Sequence, residues 1–160
     1  MKLREMNELD IAVIKSWRAY PEEFKDLDYA LREMGWIGQF SSKEETKIYT
    51  GEEDDVIIGF SILSRENCLN GRAEFRIALN PDMLGQGIGQ KLAQMTLEEG
   101  FQELGLREIY LIVRKNNRRA RGLYERIGFQ YSGDCRKEIC GTMVDLFEMT
   151  LDKDTFEERI

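Results

Sequence analysis

Three glycines in five positions, Gly85, Gly87 and Gly89, dominate the stretch Met83-Leu84-Gly85-Gln86-Gly87-Ile88-Gly89-Gln90. Before it lies a run with strand character, residues 73–79, and from Gly87 the apolar spacing becomes helical as far as Leu104. Glycine turns a backbone sharply without a Cβ penalty and brings bare N–H groups close to a ligand. At a helix N-terminus those groups are unpaired and the dipole is positive, so the natural guest is a phosphate or pyrophosphate. The competing reading is a tight strand-to-helix connection with no ligand, since turns need glycine anyway. Two other phosphate motifs fail on spacing. A dinucleotide fingerprint needs a further glycine at position 90 or 92, where the chain has Gln90 and Leu92, and no GK followed by Ser or Thr follows the glycines as a Walker A loop requires.

The chain has 160 residues, a usual size for one domain with its own core. It contains no histidine. That excludes Ser/His and Cys/His nucleophilic pairs and disfavours a metal site, leaving Glu, Asp, Tyr, Cys, Lys, water or backbone to move protons. The formal net charge of −7 argues against non-specific nucleic-acid binding and suits a cationic substrate, although solubility alone also accounts for it. Cys68, Cys135 and Cys140 show no zinc-like spacing and read as reduced thiols. No apolar run approaches the roughly 20 residues of a membrane span, and the charged N-terminus has no signal-peptide core, so a cytoplasmic protein is expected.

In chain order, residues 2–6 suggest an edge strand, and Asn7 caps a helix whose stripe of Ile11, Ile14 and Trp17 runs toward residue 19. A second helix is expected over residues 22–34, followed by a loop with Trp36 and Phe40. Residues 47–51 and 56–64 form a hairpin about an acidic turn, with Gly59 marking a bulge or a close backbone approach. Residues 72–79 add a third strand that leads into the glycine loop. After the helix, residues 109–113 read as a strand buried on both faces. Asn116 or Asn117 caps a helix with Ala120, Leu123, Tyr124 and Ile127 inward and Gly128 at its end. Strands over 129–137 and 142–150 close the sheet. The domain is expected to span 1–150, and residues 151–160 read as a charged tail or short helix.

This order, carried by AEFRIALNP, LGQGIG and YLIVRKNNRRARGLYERIGF, resembles the GNAT superfamily of acetyl-CoA-dependent N-acetyltransferases. The resemblance implies a single α+β domain, a mixed, mostly antiparallel sheet with helices on both faces. It implies backbone pairing of Ile77, Ala78 and Leu79 with the pantetheine arm of acetyl-CoA. It also implies a pyrophosphate held by Leu84, Gly85, Gln86, Gly87, Ile88, Gly89 and Gln90, and a hydrogen bond from Asn117 to the arm. Tyr124 would place its hydroxyl at the thioester sulfur. Where the family loop usually begins with Arg or Gln this chain has Leu84, so Lys91 or a basic side chain from the next helix would supply the missing charge. Many members pair through their sheets, so a homodimer is compatible with the resemblance.

The chemistry can also be reasoned from the residues. An alkylammonium with pKa about 10.4 must lose a proton before it attacks a thioester. Without histidine, the base expected is Glu74, directly or through water, unless it is a structural carboxylate paired with Arg72 or Arg76. Tyr124 is the expected acid for the leaving thiolate, with a core tyrosine as the alternative. The run Arg114, Lys115, Arg118, Arg119 and Arg121 is either a solvated face or an attractor for coenzyme A phosphates. Glu22, Glu23, Asp26 and Asp28, with Trp36 and Phe40, form either a pocket for a polyamine or amino sugar or a wet helix face. The function expected is acetyl transfer to a primary amine of a small molecule. Protein N-terminal or lysine acetylation, and a non-catalytic coenzyme A sensor, are the rivals.

Overall fold

The computed structural model describes residues 1–20, 45–65, 71–139 and 141–159. The expected helix over 22–34, the loop with Trp36 and Phe40, and Cys68 and Cys140 lie outside them. The elements are β1 (Lys2–Glu5), α1 (Glu8–Lys15), β2 (Thr46–Glu53), β3 (Val56–Arg65), β4 (Arg72–Leu79), α2 (Ile88–Glu98), β5 (Glu108–Arg114), α3 (Arg118–Ile127), β6 (Gln130–Ile139), β7 (Thr142–Asp152) and α4 (Lys153–Arg159). The seven strands make one sheet in the order β1-β2-β3-β4-β5-β7-β6. Every pairing is antiparallel except β4 with β5.

Local chemistry explains the boundaries. Asn7 and Asp10 form a reciprocal capping box: Asn7 Oδ1 accepts from the Asp10 N–H at 3.0 Å, and Asp10 Oδ2 accepts from the Asn7 N–H at 2.8 Å. The helix ends at Lys15, short of the expected residue 19, where the Ser16 hydroxyl donates to the Val13 carbonyl at 2.6 Å. Between β2 and β3, Asp54 and Asp55 both have positive φ, 51° and 64°, as a two-residue turn matched to the strand twist requires. The β2–β3 register shifts between Gly51 and Glu52, so the bulge lies beside Gly59. Gly59 itself is a close approach: a Cβ there would lie 2.8 Å from the Ala78 carbonyl oxygen and 2.9 Å from side-chain carbons of Leu79 and Leu92. After α2 one wide helical turn, Glu99–Glu103, carries the chain to Leu104, and Phe101 is fully buried there.

The sheet separates two apolar clusters. Ala93 and Leu97 of α2, Ile127 of α3 and Phe156 of α4 pack with Phe75, Ile109, Leu111 and Met149 on one face. On the other, Ile14 of α1 packs with Ile57, Phe60, Ile62 and Ala78. The expected α+β domain with helices on both faces is what forms. The expected boundary at residue 150 falls inside β7, which continues to Asp152. The last residues are part of the domain: Phe156 is 3% exposed, with its ring centroid 5.2 Å from that of Phe101.

Candidate active site

The parallel ladder between β4 and β5 is short. It consists of Arg72↔Glu108, Ala73↔Ile109 and Glu74↔Tyr110, after which the strands part. A cavity of about 570 Å³ opens along the separation, lined by residues 74–79 of β4, residues 111–114 of β5, the glycine loop and the inner side of α3. Backbone alternation decides what β4 offers it. The Asn80 N–H donates to the Ile58 carbonyl, so Ala78, two residues back and opposite Phe60, also directs its polar groups toward β3. Phe75, Ile77 and Leu79 direct theirs toward the cleft. Of the three residues expected to pair with a pantetheine arm, Ile77 and Leu79 therefore face it with backbone groups, and the Leu79 carbonyl also accepts from the Tyr20 hydroxyl at 2.6 Å.

The glycine loop has the conformation its composition suggests. Gly85 and Gly87 have φ of 83° and 75°, which side-chain-bearing residues rarely adopt, and Gly87 caps α2 without any side-chain hydrogen bond. The free N–H groups of the first turn thus open toward the cleft beside Leu84, Gly85, Gly87, Gly89 and Gln90, which line it. A Cβ on Gly89 would come 3.2 Å from Leu79 Cδ1, so the helix start sits directly against the end of β4. A Cβ on Gly85 would come 3.1 Å from Arg119 Nη2. A cation from α3 therefore stands at the loop whose own first position is Leu84.

Asn117 caps α3, its Oδ1 accepting from the Ala120 N–H at 3.1 Å, and it also lines the cavity. Two turns along, Tyr124 is half-buried between Phe75 and Phe129, edge-on to both at centroid distances of 6.4 and 5.9 Å. Its hydroxyl has no hydrogen-bond partner among the described residues. Burial pushes its pKa up to about 12. Glu74 is on the opposite face of the sheet from Tyr124's neighbour Phe75, because successive strand residues alternate. Its Oε2 is 2.9 Å from Arg76 Nη2, its Oε1 accepts from the Tyr110 hydroxyl at 3.2 Å, and its side chain is 13% exposed. The anticipated pairing with Arg76 is real.

The basic run divides. Arg114 and Arg119 line the cavity, whereas Lys115 is paired with Asp134 and, like Arg121, lies over the Phe147 ring. Lys137, Glu138 and Ile139, at the end of β6, form a wall that sequence reasoning missed. They are brought there by the β6–β7 pairing, and no local pattern marks them. Tyr110, the one phenol of β5, was not singled out in the sequence either; its hydroxyl is what reaches Glu74. Glu22, Glu23, Asp26 and Asp28 lie outside the described residues. Among those described, no cluster of three His, Cys, Asp or Glu side chains is arranged to hold a metal, and no helix is long and apolar enough to cross a membrane.

A sheet split beside a glycine-capped helix offers an open strand edge and a row of free N–H groups, which suit an extended amide-bearing ligand that carries phosphate. Residues 11–129 match the model of the Acetyltransferase (GNAT) family, and the chain belongs to that family. It is 29% identical over 140 residues to the spermidine N(1)-acetyltransferase of Escherichia coli K12, covering 86% of this chain and 72% of the relative. Among solved structures, mutant forms of the spermidine/spermine N-acetyltransferase SpeG from Vibrio cholerae superpose with TM-score 0.78 at 26% identity, covering 99% of this chain and 98% of that one. The spermidine N-acetyltransferase from the same organism, in complex with CoA and spermine, has the same fold, with TM-score 0.80 at 24% identity and coverage of 98% and 97%. This chain is an acetyl-CoA-dependent N-acetyltransferase.

Proposed function

We propose that the chain acetylates a primary amine of a small polyamine, with Glu74 as the base and Tyr124 as the acid. The observation that carries this reading is the placement of these two groups on opposite sides of the sheet at the β4–β5 split. A thioester entering from the α2–α3 side and an amine entering from the α1 side can meet there. The names of the relatives support a polyamine acceptor, and the net charge of −7 favours a cation over an anion.

The thioester supplies an electrophilic carbon: a C–N bond forms and the C–S bond breaks, while nitrogen gives up two protons, one from the ammonium to Glu74 before attack and one from the tetrahedral intermediate that replaces the proton Tyr124 passes to sulfur. Among the described residues Glu74 and Glu138 are the carboxylates that line the cavity, and Glu74 is the sheltered one. It accepts the ammonium proton through water, keeping Arg76 and Tyr110 as partners on its two oxygens. Tyr124 keeps its own proton until sulfur needs it. The backbone of Ile77 and Leu79 extends β4 with the pantetheine arm as an added strand, and Asn117 has its amide NH₂ left to donate to that arm. The N–H groups from Gly85 to Gln90 cradle the pyrophosphate, with Arg119 supplying the charge that Leu84 lacks.

Thiol release from acetyl-CoA, measured with spermidine, spermine, an amino sugar and a lysine-containing peptide, tests the reading. Turnover with the polyamines well above that with the other two is expected. Preference for the peptide would transfer the activity to a protein acceptor. A thermal shift with acetyl-CoA but no thiol release with any amine would make the chain a coenzyme A sensor.

A further inference from the structure

Glu74 stands at the last rung of the β4–β5 ladder, the apex from which the cleft opens, and the residue across that rung is Tyr110. Tyr110 is 6% exposed, and its hydroxyl donates to Glu74 Oε1 at 3.2 Å. The Arg72 guanidinium lies over the Tyr110 ring at 3.8 Å from its centroid. Arg72 is itself held on both sides: Nε donates to Glu108 Oε2 at 2.6 Å, and Nη2 is 3.6 Å from Glu148 Oε1. The other Glu148 oxygen accepts from the Ser132 hydroxyl at 3.0 Å. A row of side chains from β4, β5, β7 and β6 thus runs across one face of the sheet and ends on the carboxylate. Arg76 alone fixes one oxygen of Glu74 and leaves the group free to swing; a second donor on the other oxygen fixes its plane.

We propose that Tyr110 is the positioning residue for Glu74 and that Arg72, stacked on its ring, holds the phenol in place. The proposal rests on Glu74 being the base. Through Tyr110 the carboxylate keeps one orientation at the mouth of the cleft, with its remaining lone pairs turned toward the arriving amine. Among the described residues the charged and titratable groups on this face around Glu74 are Arg72 and Arg76 on β4, Tyr110 and Glu108 on β5, and Glu148 on β7; Ser64 is its neighbour on β3. Of these, Tyr110 can be changed without altering any charge.

The test is a double-mutant cycle of Tyr110→Phe and Glu74→Gln, read as kcat and as KM for both substrates. Tyr110→Phe is expected to lower kcat about tenfold, the equivalent of one hydrogen bond to a charged group. It leaves KM for acetyl-CoA unchanged, because Tyr110 acts only through the carboxylate. In the Glu74→Gln background the same change has no further effect. Losses that multiply in the double variant, a raised KM for acetyl-CoA in place of a lowered kcat, or a Tyr110→Phe enzyme with the parent kcat, overturn the proposal. Full turnover by Glu74→Gln alone overturns the assignment of the base instead. Arg72→Lys gives a second reading, since lysine keeps the charge but not the planar stacking. It is expected to lower kcat less than Tyr110→Phe does and to have no effect once Glu74 is Gln; a loss that persists undiminished there also overturns the proposal.

Discussion

Tyr124, the acid in the proposed mechanism, has a hydroxyl with no hydrogen-bond partner among the described residues, and its pKa, pushed up by burial to about 12, keeps it protonated at neutral pH. Tyr124→Phe is expected to lower kcat by about a hundredfold or more while acetyl-CoA still raises the melting temperature. Because the phenol stays protonated, kcat should show no loss from its ionisation up to about pH 10, and a pH series in the parent enzyme checks this. Arg119→Gln belongs to the other end of the cleft and should raise KM for acetyl-CoA about tenfold with kcat nearly unchanged. Asp10 is a residue of stability. Arg4 binds both its oxygens at 2.6 and 2.7 Å, and that pairing, with the Asn7 N–H, holds its pKa below the usual carboxylate range. A lowered folded-state pKa stabilises above the unfolded value, and the stabilisation fades as pH falls through the folded one. Asp10→Asn is therefore expected to destabilise by about 2–3 kcal/mol at pH 7. The difference from the parent should shrink below about pH 4, measured by urea unfolding at several pH values.

At the scale of elements, β4 carries the most demands, because one strand must pair with β3 throughout and with β5 for only three residues. Gly59 shows how closely it is held: the Ala78 carbonyl and the ends of Leu79 and Leu92 occupy the space a methyl would need. Gly59→Ala is expected to destabilise by about 1–3 kcal/mol and to raise KM for acetyl-CoA by displacing Leu79, as denaturant titration and kinetics would show. The sequence carried much of this element. Period-2 alternation and Pro81 delimited it, and the glycines after it announced the turn. Asn117 as a cap and residues 109–113 as a doubly buried strand were equally readable, because capping and burial leave their mark on the residue itself. The split was not readable, since nothing in the identities of Phe75 or Leu111 says that their strands have separated. The wall at Lys137–Ile139 was hidden for the same reason: it is a consequence of pairing across seven positions of register with β7. Glu74 was legible as a carboxylate in the right strand, but its two partners depend on which residues share its face and its rung.

The whole molecule is closed by its last element. Phe156 of α4 fills the cluster formed by α2, α3 and the central strands, so a chain ending after Asp152 would leave that face open. Phe156→Ala is expected to lower stability by about 3 kcal/mol or more, seen as a reduced melting temperature with the affinity for acetyl-CoA largely retained once folded. The parted strands have a consequence for how the enzyme lets go of its product. In the proposed complex the amides and carbonyls of Ile77 and Leu79 would hold the arm, not the acetyl group, and the arm is the same before and after transfer. Free coenzyme A should accordingly compete with acetyl-CoA at comparable strength, as product-inhibition kinetics would show.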